Sequence, residues 1–173
     1  MAENQFRVVY DVTQQAPFEP EVAYLAAGLF ALGLVWMLVR ARQRKPRTTG
    51  FVLMGFASAV ALIGVGLMSW DHARLCSLME SGQVSVVEGP VLSHGTERIR
   101  TARTDRREYH TYERFFVGPR VWFGYYWEVG QAGFHNGGAE HIELHDGLQV
   151  RATYAFADGT DDPPRILKLE LAR

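Results

Sequence analysis

The sequence predicts an α+β membrane protein: a two-helix transmembrane hairpin followed by a small antiparallel β-barrel of about five strands. Three observations predict it. Two apolar runs without a single charge, 22–39 and 51–70, stand close together. The segment between them, 40–50, carries Arg40, Arg42, Arg44, Lys45 and Arg47 and no acid. Beyond Gly82 the apolar residues alternate, in short runs separated by glycine-containing turns, which is strand grammar.

The runs hold 18 and 20 residues. About 20 residues at 1.5 Å rise cross a roughly 30 Å hydrocarbon core, so the second fits comfortably and the first just suffices. Lipid offers no hydrogen-bond partners, so the backbone must satisfy itself as helix despite the glycines and β-branched residues. Small residues at four-residue spacing, Ala27 with Ala31, Gly55 with Ala59 and Ala57 with Ala61, mark faces where helices can approach closely, within the hairpin or between copies in a homo-oligomer. Trp36 and Trp70 suit the two membrane interfaces. Neither run contains an ionisable residue, which argues against transport.

The charge order fixes an expected orientation. Residues 1–21 hold Glu3, Asp11, Glu19 and Glu21 against Arg7, and 71–173 hold fifteen acids and twelve bases. Lys and Arg beside a span resist translocation, so the basic loop faces the cytoplasm. Both termini then lie on the other side, the periplasmic face of a bacterial inner membrane. The late first run, its acidic leader and the lack of a small-residue cleavage site argue against a removable signal peptide.

The flanks follow. Residues 1–21 form a tail in which Phe6, Val8, Tyr10 and Val12 alternate with Arg7 and Asp11, the spacing of an extra strand that joins the later domain. Residues 71–82 continue the second helix until Gly82 stops it. The soluble domain is 83–173. Its first strand starts near Val84, Val86 and Val91 and runs on toward Arg103. Thr104 to Arg107 reads as a turn. Tyr109 to Val117 returns with Tyr109, Thr111, Glu113, Phe115 and Val117 on one face. After the Gly118-Pro119-Arg120 turn, Val121 to Trp127 alternates with Val121, Phe123 and Tyr125 inward. A glycine-rich loop, 130–141, precedes the Asp146-Gly147 turn, a strand from Leu148 to Phe156, a loop at 157–164, and a last strand around 166–171. Closure of these strands would remove exposed sheet edges, and an OB-like barrel is the economical solution.

The segments Val87-Glu88-Gly89-Pro90-Val91, Glu113 with Phe115 and Val117, Phe123 with Tyr125, Gly133-Phe134 with Asn136 to Gly138, Asp146-Gly147-Leu148 with Val150, Arg151 and Tyr154, and Ile166 to Leu171 carry a resemblance. They resemble an uncharacterised class of small bacterial inner-membrane proteins with a two-helix anchor and an OB-like C-terminal domain. The resemblance covers about half the chain and implies an anchor and a fold, with no activity. In architecture alone, two spans followed by a small barrel are similar to the membrane effectors of bacterial cyclic-nucleotide defence systems. There the barrel senses a nucleotide in the cytoplasm, opposite to the side expected here.

Candidate sites are few. His141, Glu143 and His145 would share a strand face at i, i+2, i+4 and offer two imidazoles and a carboxylate to a metal such as zinc. Arg98, Arg100, Arg103, Arg106 and Arg107, with Arg114 beyond them, crowd the first long hairpin beside Tyr109 and Tyr112. Basic residues interleaved with aromatics suit an anionic partner such as a lipid headgroup. Nucleic acid is not expected outside the cytoplasm. Phe116, Trp122 and Tyr126 fall on the outward phase of their strands, and exposed aromatics in a group mark a partner surface. The expected partner-binding set is therefore these arginines with Trp122, Tyr126, Phe134 and Asn136. The single cysteine, Cys76, can form only an intermolecular disulfide. No phosphate-loop, dinucleotide or nucleophile-elbow pattern occurs. The expectation is a non-enzymatic binding or interaction module without a cofactor, held in the lipid bilayer and engaging a protein or envelope partner. A nucleotide-sensing membrane effector and a metal-dependent envelope enzyme are the alternatives.

Overall fold

The computed structural model describes residues 6–18, 20–46, 48–100, 109–119, 121–127, 132–137, 141–156 and 163–173. The chain forms two compact units, Ala16–Ala73 and, in two pieces, Met1–Gln15 with Arg74–Arg173.

The first unit is helical, and the part of its last helix from Arg74 onward belongs to the second unit. Helix α1 spans Pro20–Arg42, α2 spans Thr48–Ala61, a π-helical stretch covers Leu62–Leu67, and α3 spans Met68–Glu80. The last three run on without a break as Thr48–Glu80. Pro20 occupies the first position of α1, where its missing N–H costs nothing. The end of α1 closes with Arg44 in the left-handed region at φ 54. There the Arg44 N–H reaches the Ala41 carbonyl at 3.1 Å and the Lys45 N–H the Arg40 carbonyl at 3.0 Å. The guanidinium of Arg40 lies over the Trp36 ring, 5.0 Å from its centre.

Both helices bury small residues seven apart: Ala26 and Gly33 on α1, Gly50 and Ala57 on α2. A Cβ on Gly33 would lie 2.9 Å from Met54 Cγ and 3.1 Å from the Gly50 carbonyl oxygen. One on Gly50 would lie 2.9 Å from the Gly33 oxygen. The helices therefore meet glycine to glycine. Four-residue spacing points to other positions: Ala27, Ala31, Gly55 and Ala59 are exposed, and of those pairs only Ala57 is buried. The repeat that matters is seven, because an antiparallel pair crossing at a shallow angle brings the same face back every two turns. Gly33→Val is expected to weaken helix pairing by about 1–3 kcal/mol through overpacking, read as an earlier midpoint in a dodecyl sulfate titration in mixed micelles. Gly28→Val, at a position with nothing within 4 Å, should leave that midpoint in place.

The second unit is a six-stranded antiparallel sheet in the order β1-β6-β5-β2-β3-β4. Its strands are β1 (Phe6–Asp11), β2 (Ser85–Arg100), β3 (Tyr109–Val117), β4 (Val121–Tyr126), β5 (Gln149–Ala155) and β6 (Arg165–Ala172). The expected closed barrel is not formed among the described residues: β1 and β4 each pair on one side only and are the two edges. The sixth strand is the N-terminal one. It covers the free side of β6, pairing Arg7 with Leu171 and Tyr10 with Leu169. Strand β2 serves both halves. Ser85 to Pro90 pair with β5 and Val91 to Arg100 with β3, so the sheet folds over a core that includes Val91, Phe115, Phe123, Val150, Ile166 and Leu169.

The alternation expected in β1 slips at a bulge between Val8 and Tyr10. Val8 is exposed while Val9 and Tyr10 pack toward the core. Val12 follows in a 3-10 turn, Val12–Gln14, whose start is capped by the Asp11 carboxylate. Val12 is buried with Leu75 of α3, Ala155 and Leu167 in a second cluster. Helix α3 ends at Glu80, and Gly82, the expected stop, follows at φ 70. The Gln83 N–H reaches the Leu78 carbonyl at 3.1 Å and the Gly82 N–H that of Met79 at 3.3 Å, the bonding of a glycine C-terminal cap. The turn expected at 104–107 lies outside the described residues.

Candidate functional site

Strand β3 presents chemistry on both faces. On the inner face, in phase with Phe115 and Val117, sits Glu113, 1% exposed. Four side chains surround its carboxylate. His94 Nε2 lies 2.8 Å from Oε1 and Asn136 Nδ2 3.4 Å from the same oxygen. The Tyr125 hydroxyl donates to Oε2 at 2.9 Å and the Trp127 indole N–H at 2.8 Å. His94 Nε2 donates to the carboxylate in the tautomer that carries its proton there. Burial pushes the Tyr125 hydroxyl well above the usual tyrosine range, and the Glu113 charge and their hydrogen bond push it further. Tyr125 therefore remains a donor.

The neighbours come from different parts of the chain. His94 arrives through a bulge between Leu92 and Gly95, with Ser93 at φ 52 and the His94 N–H held by Asp146 Oδ1 at 2.8 Å. The extra residue turns the imidazole to the inner side. Asn136 pairs with residue 142 as a strand would: its Oδ1 accepts from the Ile142 N–H and its Nδ2 donates to the Ile142 carbonyl, both at 2.8 Å. His141 Nδ1 lies 3.1 Å from the Asn136 carbonyl, and its ring meets Trp127 edge-on at 5.0 Å. A Cβ on Gly137 would overlap the Trp127 carbonyl, so the loop passes closer to β4 than any other residue permits. The cluster ties β2, β3, β4 and the loop around one buried acceptor. His94 bonds Asp146 through its backbone N–H and Glu113 through its ring. The arrangement works as a clamp.

The outer face of β2, β3 and β4 is built in cross-strand rows, since directly opposed residues share a face. Leu92, Phe116 and Trp122 form the first row; Gly95, Arg114 and Gly124 the second; Glu97, Tyr112 and Tyr126 the third; Ile99 and His110 the fourth. Leu92, Phe116 and Tyr126 are 39%, 40% and 38% exposed on this face. Tyr112 packs on Tyr126 at 4.9 Å, and its hydroxyl lies over Gly124, where a Cβ would collide with it. Burial and Tyr126 push the Tyr112 hydroxyl up in pKa, and Arg114 offsets part of this. The outer face of the other half of the sheet is charged, and its charges pair: Glu88 with Arg151 at 2.8 Å and Lys168 with Glu170 at 3.2 Å. Arg151 also covers the Phe6 ring at 4.2 Å.

The expected partner-binding residues do not form one surface. Arg98 and Arg100 oppose Thr111 and Tyr109, which puts them on the Glu113 side of the hairpin. Trp122 and Tyr126 lie on the other side. Phe134 and Asn136 are 6% and 2% exposed; Phe134 wedges edge-on between Tyr10 and Tyr125. Both are interior, because the loop folds back across the open side of the sheet, with the Phe134 N–H bonded to the Ile166 carbonyl at 2.9 Å. Arg103, Arg106 and Arg107 lie outside the described residues. His141, Glu143 and His145 sit in an irregular segment, so the strand spacing that would align them is absent. His141 turns to Asn136 and His145 to the Asp146 carbonyl, and no group of three metal-ligating side chains occurs among the described residues.

The Glu113 cluster is not marked by any motif in the sequence. One signal was available: a lone carboxylate in phase with Phe115 and Val117 has to find partners inside. The bulge that delivers His94 left no such trace. No protein-family model, curated protein or solved structure matches the chain.

Proposed function

We propose that the protein is a membrane-anchored, non-enzymatic binding module, with two transmembrane helices holding a small β domain at the periplasmic face of a bacterial inner membrane. The observation that carries this reading is the bareness of the helices. In the most apolar stretches of Pro20–Arg42 and Thr48–Glu80 only 11% and 6% of residues are buried. So much apolar surface is stable in lipid and not in water. The strand pairing adds a constraint. Strand β1 precedes α1 and β6 lies near the far end of the chain, yet they form one ladder, so the chain between them crosses an even number of times. The basic residues 40–47 then orient the hairpin with its loop in the cytoplasm.

The β domain is an opened OB-like barrel. In support, β2 pairs with β3 and β5, β3 with β4, and β5 with β6, the order of a five-stranded Greek-key barrel without its closing pair. The outer face of β2–β3–β4 is the binding surface, since it concentrates exposed aromatics around one arginine, the composition of interface hot spots. The Glu113 clamp keeps that face rigid from behind. A reporter active only outside the cytoplasm, fused after Arg173, should be active. A silent fusion paired with a fluorescent cytoplasmic one would place the domain inside and favour the nucleotide-sensing alternative.

A further inference from the structure

We infer that the outer face of β2–β3–β4 docks against the same face of a second copy of this chain, around a two-fold axis lying between the faces and across the strands. The inference rests on the binding-surface reading above and names its occupant. Along the strands the rows run apolar, cationic (Arg114), anionic (Glu97), and then Ile99 beside His110. A two-fold axis across the strands reverses that order on the facing copy. Arg114 then meets the row of the second Glu97, and the second Arg114 meets the row of the first. The Leu92 row meets Ile99, and Glu97 stands over Gly95, where nothing lies within 4 Å of a built Cβ. An axis along the strands would instead put Arg114 over Arg114.

Arg114 and Glu97 are diagonal neighbours and both exposed. Among the described residues neither is in an ion pair, whereas the charges on the other half of the sheet pair within the chain. The face is close to neutral and mostly apolar, which suits a copy of itself better than a polyanion. It is also small. Three strands about 4.8 Å apart and eight residues of about 3.4 Å give a footprint on the order of 400 Å², about half of what a stable interface buries per partner. Association therefore depends on confinement in a shared membrane, where tethering raises effective concentration.

The test uses the full chain reconstituted in liposomes, with donor and acceptor fluorescent proteins fused to separate populations. Native copies should transfer energy above the level of random proximity. Arg114→Glu in both populations, or Glu97→Arg in both, should lower association at least about tenfold, since like charges then face each other twice. Arg114→Glu copies mixed with Glu97→Arg copies should recover it, because both facing pairs are again opposite in sign. Thermal unfolding of each variant checks that these exposed changes leave the fold intact. Random-level transfer by native copies, persistent transfer by the single variants, or no recovery in the mixture each overturns the inference. Random-level transfer with an active outside reporter removes the second copy as occupant, leaving the module to a different protein or glycan. A silent reporter removes the sidedness and leaves the pairing to stand or fall by energy transfer.

Discussion

Replacing Glu113 with alanine is expected to destabilise the β domain by about 3–5 kcal/mol, the scale of breaking a buried, hydrogen-bonded charge site. The change removes the acceptor shared by His94, Tyr125, Trp127 and Asn136. It leaves four donors from three chain segments facing a cavity. Glu113→Gln keeps the volume and one acceptor oxygen but turns an NH2 group toward donors. It should cost less, about 1–2 kcal/mol. Chemical denaturation of the detergent-solubilised chain, followed by tryptophan fluorescence, measures both, since Trp127 reports the site directly. Amide exchange should rise first at Ile142, whose N–H is held by Asn136. A loss below about 1 kcal/mol for Glu113→Ala would mean that water replaces the carboxylate and that the clamp is not structural.

Raising the pH should erode stability from about pH 10 upward, and the N-terminal strand should give way with it. Burial pushes the Tyr10 hydroxyl from 10.0 up to about 12, Asp11 and Cys76 add to the shift, and a backbone hydrogen bond from Gly133 offsets part of it. The folded state thus holds its proton more tightly than the unfolded chain does. The contribution is fully present below the unfolded value near 10 and is lost as pH rises through about 12. Two units correspond to an upper bound of ~3 kcal/mol. The ring is only partly buried, so solvent screening leaves on the order of 1–2 kcal/mol. Tyr125, shifted the same way by burial and by Glu113, adds to the alkaline loss. Tyr10→Phe keeps the ring against Phe134 and removes its titration, so its stability should fall less steeply between pH 10 and 12 than that of the native chain. Equal slopes would show that Tyr10 is solvated in solution and that β1 docks more loosely than its pairing with β6 implies.

Much of the fold was legible from local pattern, and the failures share a cause. The strand phase of Tyr109 to Val117 and Val121 to Tyr126, the glycine stop at Gly82 and the strand spacing that begins at Phe6 all appear in the structure. They depend on period and on single-residue conformational preference, which sequence carries directly. Closure does not. Whether a sheet closes depends on which edges meet, and here β1 takes the side of β6 that a closing strand would have used. The bulges at Val8–Tyr10 and Leu92–Gly95 break the alternation on which face assignment rests. The first exposes Val8, and the second sends His94 inward.

The site divides along the same line. Arginines close in sequence looked like one patch, but alternation puts Arg98 and Arg100 on one side of the hairpin and Arg114 on the other. Phe134 and Asn136 read as exposed loop residues and proved interior, because a loop crossing an open sheet becomes its lining. What the sequence determined by itself was local: two uncharged apolar helices with a basic turn, and strands with a readable inner and outer phase. Only the tertiary structure decided that the strand before the first helix takes β6 as its partner. It also decided that Glu113 is enclosed by four donors and that Arg114 and Glu97 share an aromatic face on which, among the described residues, neither is in an ion pair. Those facts depend on contacts between residues far apart in the chain, and periodicity carries no information about which distant strand will lie alongside.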